Sequence, residues 1–398
     1  KTYKANLHAH CDASDGDPTL DEMVEEYYKA DYDILAMTDH GVITNGWTSE
    51  RETNGIFNKF RKVYPMSEEN YERITKGLDR GGRGMTDIRG GIECNMAVIS
   101  KTHVNGYFTT YGQGEWGIEN DYRTAPVEIE KAGGYSVLNH VGDWVDSGRF
   151  PHRSHWNVYI AYFAGIFIDC PSCLGMEIVN NTDRVTRGDR ELWDELLQVV
   201  IPKGRNIWAF ADDDSEKLNE VGRSFEFFVL PENNEANVKK AMKDGNFFAA
   251  SKYYKTTDGV GDFDGDGNVP LVTGIKVDQK ANTITVATDP TRDCRVIEWI
   301  ADGKVIATGN TIDLNDYEKD LGCYIRFQMK GSGGVTYSQP FELQYNGRID
   351  KPVPSWALWV FKTEAGQKFM KFYHSHSFAL GALIAEKIRI LIEDNIKK

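Results

Sequence analysis

No run in this sequence reaches the ~18 consecutive apolar residues that a membrane-spanning helix needs. The apolar segment Phe378–Ala385 is followed at once by Glu386, Lys387 and Arg389. Basic charge is also short: 46 Lys and Arg stand against 60 Asp and Glu, a formal charge of −14. Tight binding of a long nucleic acid draws mainly on basic contacts to phosphates, so a long duplex is disfavoured as a partner. The same acidity does not exclude hydrolysis of a phosphate ester, because bound cations invert the local charge of a site. Six cysteines are too few for a disulfide scaffold in 398 residues. Cys170-Pro171-Ser172-Cys173 is a single CxxC without a second pair, which leaves a zinc ribbon unsupported. It precedes the strand-like run Leu174–Val179 rather than opening a helix, so a structural role is expected instead of a redox one. There is no internal repeat. No secretory leader is visible, and a cytoplasmic protein is expected; export stays open because the first residue is Lys1 rather than Met.

What is present suits a folded chain of more than one unit. Hydrophobic residues make up 40% and aromatics 12%, enough for a core and too much for global disorder. From residue 1 to about 255, short apolar runs alternate with amphipathic ones. The strand-like runs are Tyr3–His8, Asp33–Thr38, Gly91–Asn95, Val104–Thr109, Tyr135–His140, Met176–Asn180 and Asn206–Ala211. Thr19-x-x-Glu22 is a capping box, and Leu20, Met23, Val24, Tyr27 and Tyr28 follow it at helical spacing. Leu192, Trp193, Leu196, Leu197 and Val200 repeat that stripe, and a third helix is expected over Asn237–Lys243. Seven strands alternating with helices imply an α/β fold with a parallel sheet, open or closed into a barrel.

The pattern changes after Tyr254. Residues 256–271 form a Gly/Asp-rich linker, and 272–346 predict an all-β, Ig-like antiparallel sandwich, with Asp302-Gly303 as a hairpin turn. Residues 347–398 hold a Pro-containing linker and an amphipathic helical tail. The tail's aromatics, Trp356, Trp359, Phe361, Phe369, Phe372 and Tyr373, are suited to packing on the body or on a second copy of the chain. Within the linker, Asp262-x-Asp264-x-Asp266-Gly267 copies the start of a calcium loop, but Thr273 stands where a bidentate glutamate belongs. A plain acidic linker is the simpler reading.

The polar residues fall in telling places. His8 and His10 close the first predicted strand, Thr38-Asp39-His40 the second and Glu93 the third; His140 closes the fifth and Asp212-Asp213-Asp214-Ser215-Glu216 the seventh. In a parallel α/β barrel the strand C-termini share one face, so these groups would converge. His103 opens its strand, the wrong end unless that strand is offset or reversed. Imidazoles and carboxylates suit manganese, iron or zinc, and a bridging carboxylate such as Glu93 could hold two ions for in-line displacement at phosphorus. By contrast, His374-x-His376 sits in a helical pattern where i and i+2 do not face each other, and His152 and His155 carry spacing alone.

This constellation resembles the PHP family, named for DNA polymerase and histidinol phosphatase. The match runs through His8-Ala9-His10, Ser14-Asp15-Gly16, Thr38-Asp39-His40, Gly91-Ile92-Glu93, His103-Val104-Asn105-Gly106, Gly133-Gly134 to His140, and Gly175-Met176-Glu177-Ile178-Val179-Asn180. It spans roughly residues 4–254. The resemblance implies a distorted seven-stranded (β/α)7 barrel with a three-metal site that hydrolyses phosphate esters by a metal-bound hydroxide. It implies His8, His10 and Glu93 on one ion, His103 and His140 on a second, and Asp15 and His40 on a third. Asp214 and Glu216 would complete the set, with Glu93, Asp214 and His140 as catalytic residues. Asp39 would orient a ligand, and Arg184 or Arg187 would meet the substrate phosphate.

Glu216 is a departure, because the family's closing Asp-x-His pair is Asp214-x-Glu216 here. An altered third site is expected. A small phosphomonoester, nucleotide or short oligonucleotide is the expected substrate. Two other readings stand beside it: a weakened, regulatory metal-binding protein, and a metal-dependent amide or lactone hydrolase. The latter usually needs a bridging lysine, and none ends a predicted strand.

Overall fold

The computed structural model describes residues 1–52, 62–97, 100–118, 120–145, 157–344 and 363–373. The first part of the chain carries ten strands: β1 (Thr2–Asn6), β2 (Ile34–Ala36), β3 (Thr86–Ile88), β4 (Ile92–Cys94), β5 (Val104–Tyr107), β6 (Tyr135–Leu138), β7 (Cys173–Asn180), β8 (Trp208–Asp212), β9 (Ser224–Val229) and β10 (Phe247–Ser251). Between them lie α1 (Leu20–Lys29), α2 (Glu68–Lys76), α3 (Thr124–Lys131), α4 (Val141–Val145), α5 (Asn157–Asp169), α6 (Asp189–Val200) and α7 (Glu235–Asp244). The capping box of α1 is formed, and Leu20, Met23, Val24, Tyr27 and Tyr28 are its buried stripe. In α6 the stripe Leu192, Trp193, Leu196, Leu197 and Val200 is buried as its spacing requires.

This is a mixed α/β protein with several sheets. One sheet orders β3-β2-β1-β9-β10 and continues beyond; a second orders β4-β5-β6-β7-β8. β1, β2 and β3 are parallel, as are β6, β7 and β8. β5 runs antiparallel to both β4 and β6, which departs from the expected all-parallel arrangement. Among the described residues the expected closed barrel is not found. Where the two sheets meet, the ladder reduces to isolated bridges, Ala9 to Ser215 and His40 to Glu93. The physical reason lies in the strand ends, which leave extended geometry to aim side chains; Asp214 has φ +47° and His140 φ +27°. Gly91 permits the second junction, because a Cβ there would collide with the Met37 carbonyl.

The later strands are β11 (Tyr253–Tyr254), β12 (Phe263–Asp264), β13 (Val272–Asp278), β14 (Thr283–Thr288), β15 (Val296–Ala301), β16 (Lys304–Thr308), β17 (Thr311–Asp313), β18 (Tyr324–Gly331), β19 (Gly334–Tyr337) and β20 (Phe341–Glu342). β13-β14-β17 form one antiparallel sheet, while β19-β18-β15-β16 prolong the first sheet through pairing of β10 with β19. Arg326 on β18 gives Nε and Nη2 to Asp194 of α6 at 2.7 and 2.6 Å, a buried pair that fastens these strands to the body.

Of the tail, α8 (Glu364–Tyr373) is described and is helical. The Pro-containing linker, Trp356, Trp359, Phe361, His374, His376 and the rest of the tail lie outside the described residues, as do His152 and His155. Among the described residues, no helix is long and apolar enough to cross a membrane.

Candidate metal centre

Strand direction decides which side chains meet. His8 and His10 follow β1, His40 follows β2, Glu93 lies in β4, His140 follows β6 and Asp214 follows β8. β5 is reversed, so His103, one residue ahead of it, reaches the same edge as the ends of its neighbours. The position that fitted a parallel sheet poorly fits an antiparallel strand.

Glu93 is the hub. It is buried, and all five imidazoles approach it: His8 Nε2 at 3.3 Å, His10 Nε2 at 3.4 Å, His40 Nδ1 at 3.0 Å, His103 Nδ1 at 3.3 Å and His140 Nε2 at 3.5 Å. Asp214 Oδ1 stands 3.1 Å from both His8 Nε2 and His10 Nε2, and these two nitrogens are 3.1 Å apart. Asp15 lies 3.3 Å from His40 Nε2 and 3.6 Å from His10 Nδ1. The side chains that could hold an ion therefore fall into three groups: His8, His10, Glu93 and Asp214; His40, Glu93 and His103; and His10, Asp15 and His40.

The first group is compact enough for one cation. Nitrogen and oxygen donors at ~2.0–2.1 Å from a shared ion stand no more than about 4.2 Å from one another. His8 Nε2, His10 Nε2 and Asp214 Oδ1 are mutually 3.1 Å apart, and Glu93 meets His8 through Oε1 at 3.3 Å and His10 through Oε2 at 3.4 Å. Glu93 Oε2, His40 Nδ1 and His140 Nδ1 are buried without a hydrogen-bond partner. Each such atom costs about 1–3 kcal/mol if left unpaired. The positive φ at Asp214 and His140 adds strain of about 1–3 kcal/mol each where the residue is not glycine. A fold tolerates such expense where a ligand recovers it.

Around these groups lies a ring of partners that fixes their orientation. His8 Nδ1 is 2.7 Å from Glu177 Oε1, and the other oxygen of Glu177 accepts from the His140 backbone N–H at 2.8 Å and from Asn180 Nδ2 at 3.0 Å. Asn139 Nδ2 donates to Glu93 Oε1 at 2.7 Å, and Asn180 Nδ2 donates to Asp214 Oδ2 at 3.1 Å. His10 Nδ1 meets Ser14 Oγ at 3.3 Å, and that hydroxyl donates to Asp39 Oδ1 at 2.9 Å. Asp39 also accepts from the Cys11 N–H at 2.8 Å, so it pins the turn that carries Asp15. Sequence reasoning placed Asp39 in this role but gave none to Glu177, Asn139 or Asn180. The available signal was a carboxylate inside β7, all eight residues of which are buried.

Burial and charge compete throughout the cluster. Burial by itself would keep His8 and His40 neutral. The charges of Asp214, Glu93 and Glu177 on His8, and of Glu93 and Asp15 on His40, outweigh it and raise both pKa values well above the ordinary one. Burial likewise opposes ionisation of Glu93, yet His40, His8 and His103 hold it well below the usual carboxylate range. His140 is pushed up to about 9 against its burial by the hydrogen bond to Glu93 and the charges of Asp214 and Glu177. His103 goes the other way: burial lowers it, and Glu93 compensates only in part. Behind the site, burial and the neighbouring Glu177 raise Asp212 to about 8, and adjacent Glu226 also moves up, chiefly through burial.

Several expected residues stand apart. Glu216 is exposed as a residue with its carboxyl half-buried, and neither it nor His140 joins any of the three groups; that partial burial and the charge of Asp15 push the Glu216 pKa up. Arg184 is exposed; Arg187 is half-buried with its Nε unpartnered. Asp262, Asp264 and Asp266 do not converge: Asp262 accepts from Thr256, Asp264 pairs with Lys255, and Asp266 accepts from the Asn268 N–H. Cys170 and Cys173 are buried free thiols, and Cys173 opens β7.

No family model and no curated protein sequence matches the chain at a significant level. Similar solved structures do exist. A two-domain protein from Bacteroides vulgatus, containing a predicted PHP-like metal-dependent phosphoesterase, is 14% identical, covers 87% of this chain and 88% of its own, and gives a TM-score of 0.45. A lesion-specific endonuclease from Pyrococcus furiosus is 12% identical over 61% of this chain and 56% of its own, with a TM-score of 0.37. An amidohydrolase from Chromobacterium violaceum is 14% identical over 60% of this chain and 96% of its own, with a TM-score of 0.33.

Proposed function

We propose that this chain is a metal-dependent phosphoesterase of the PHP kind, with its ions held by His8, His10, Glu93, His40, His103, His140 and Asp214. The observation that carries the reading is the mutual 3.1 Å approach of His8, His10 and Asp214 beside Glu93, a carboxylate that five imidazoles share. Manganese, iron or zinc suits such donors, and when bound such ions activate water and offset charge building on phosphoryl oxygens. The chain's own part is to keep Glu93 ionised between its histidines, to hold His8 through Glu177, and to keep Asp214 at the mouth, 23% exposed, beside the incoming ester. Arg187, on the loop after β7, would meet the phosphate. In this reading β1, β2, β4, β5, β6, β7 and β8 correspond to a distorted barrel, and the strands after residue 272 form an all-β unit joined to it through the pairing of β10 with β19. Small phosphomonoesters, nucleotides or short oligonucleotides are the proposed substrates, in keeping with a net charge of −14.

The test is a reload of chelated protein with manganese, iron or zinc, followed by phosphomonoester, nucleotide and oligonucleotide screens. Turnover that appears with metal and vanishes with chelator is expected; metal-loaded protein inert across the panel overturns the assignment. The position of Glu216 outside the ligand groups favours one second reading, a metal-binding protein with weakened catalysis. A large gain of activity in Glu216→His would support that reading.

A further inference from the structure

We propose that Arg51, on the segment after β2, is a positioning residue for this centre: its guanidinium holds Asp39 and the turn Cys11–Gly16, and through Ser14 and Asp15 it sets the placing of His10 and His40. The inference rests on the metal-centre reading above. It adds a residue that is no metal donor itself, because a guanidinium has no lone pair to offer.

A buried guanidinium is tolerated only where anions and acceptors surround it. The Arg51 side chain is 0% exposed. Its Nη1 stands 2.9 Å from Cys11 Sγ and 3.7 Å from Asp39 Oδ2. Its Nη2 donates to the Tyr64 carbonyl at 3.0 Å and lies 4.0 Å from Asp12 Oδ1. Asp39 is fully buried as well. It accepts from the Cys11 N–H at 2.8 Å, the Cys11 thiol at 3.1 Å and the Ser14 hydroxyl at 2.9 Å. Those three donors are neutral. They orient the carboxylate without cancelling its charge, and Arg51 is the cation ion-paired with it among the described residues.

The turn is wound on Cys11. The Ser14 N–H donates to the Cys11 carbonyl at 3.1 Å, and a Cβ on Gly16 would fall 2.6 Å from Cys11 Cα. Ser14 and Asp15 therefore move with Cys11, which is gripped from two sides: Asp39 takes its N–H, and Arg51 meets its thiol. From this turn Ser14 Oγ reaches His10 Nδ1 at 3.3 Å, and Asp15 reaches His10 Nδ1 at 3.6 Å and His40 Nε2 at 3.3 Å. Without the guanidinium, Asp39 would keep a buried charge with no paired cation. Turning towards water relieves that charge, and it releases Cys11 and Ser14 together.

Calorimetric titration of stripped, full-length protein with Mn2+ tests the role. Arg51→Ala should bind the ion about 10–100-fold less tightly, with a circular dichroism spectrum like that of the native protein. Methylguanidinium added to that variant should restore most of the affinity and leave the native protein unaffected, a response that a merely structural role would not give. Arg51→Lys keeps the charge but not the planar fork and should fall between the two. Arg51→Met combined with Asp39→Asn removes both charges and should bind Mn2+ as Asp39→Asn does alone, because the two side chains act through one contact. That double variant decides the matter if Arg51→Ala fails to fold. An affinity unchanged in Arg51→Ala, a loss that methylguanidinium does not repair, or a double variant weaker than Asp39→Asn would each overturn the inference and leave the metal centre standing. Native protein that binds no Mn2+ would instead remove the metal-centre reading, and the role of Arg51 with it.

Discussion

Asp194 and Glu93 are both buried carboxylates, yet their surroundings are opposite in kind. Asp194 faces one arginine in a bidentate pair, with the Tyr324 hydroxyl at 2.7 Å as a third donor, and Arg326 lies 4.9 Å from the ring centroid of Trp193. One cation meets one anion, and the partners come from a helix and a strand with ordinary backbone. Glu93 instead faces five imidazoles, keeps an oxygen without a hydrogen bond, and neighbours residues at positive φ. The first arrangement is complete as it stands and joins two parts of the fold. The second is over-supplied with donors for a proton and correctly supplied for a cation. Burial of charge does not mark a functional site; burial of charge among donors that keep atoms without a hydrogen bond does.

The contrast can be broken by substitution. The largest effect is expected from Glu93→Gln, which removes the shared ligand. Phosphoesterase activity should fall by about 10³-fold or more, roughly 4 kcal/mol in the barrier, with loss of bound metal. Kinetics together with elemental analysis check this. Asp194→Ala should act on the other axis, costing about 3–5 kcal/mol of stability in denaturant unfolding while metal content stays the same. Metal loss in that variant would erase the distinction between the two regions. Glu177→Gln should lower metal affinity by about 10–100-fold through His8, without the stability loss of Asp194→Ala.

The smallest effect is on stability against pH. His140 is raised from its ordinary 6.5 to about 9, so in chelated protein the support from its charged form is complete below pH 6.5 and is lost as pH rises through 9. Glu93, Asp15 and Asp214 are lowered, so their support is present above the ordinary carboxylate range and fades only as pH falls through their depressed values. The Tm of stripped protein should therefore drop by about 2–4 °C between pH 6.5 and 9, and bound metal should cancel the drop because ligation needs deprotonated imidazoles. A flat profile without metal would contradict the charge balance described for the cluster.

Much of this was legible in advance. The helices α1 and α6 announce themselves through a capping box and repeating apolar stripes, which are local properties. The strands of the metal centre were legible for a similar reason, because each is an apolar run that ends in a polar residue. β9 and β10 gave no such mark. Ser224–Val229 and Phe247–Ser251 are filled with buried aromatics and small residues, and their role is to carry the sheet onward. Within α5, residues 159–167 are apolar and buried on every side, so there is no amphipathic stripe to read.

Residue chemistry and its ordered placement marked histidines and carboxylates spread from His8 to Asp214 as candidate donors for a cation, because no local structure needs them at the ends of apolar runs. Direction and distance were left to the tertiary structure. Reversal of β5 is a matter of pairing between β4 and β6, and it brings His103 to Glu93. Which nitrogen of His40 faces which carboxylate is set by how β2 meets β4. Those are contacts between segments, and composition and periodicity report only on neighbours along the chain.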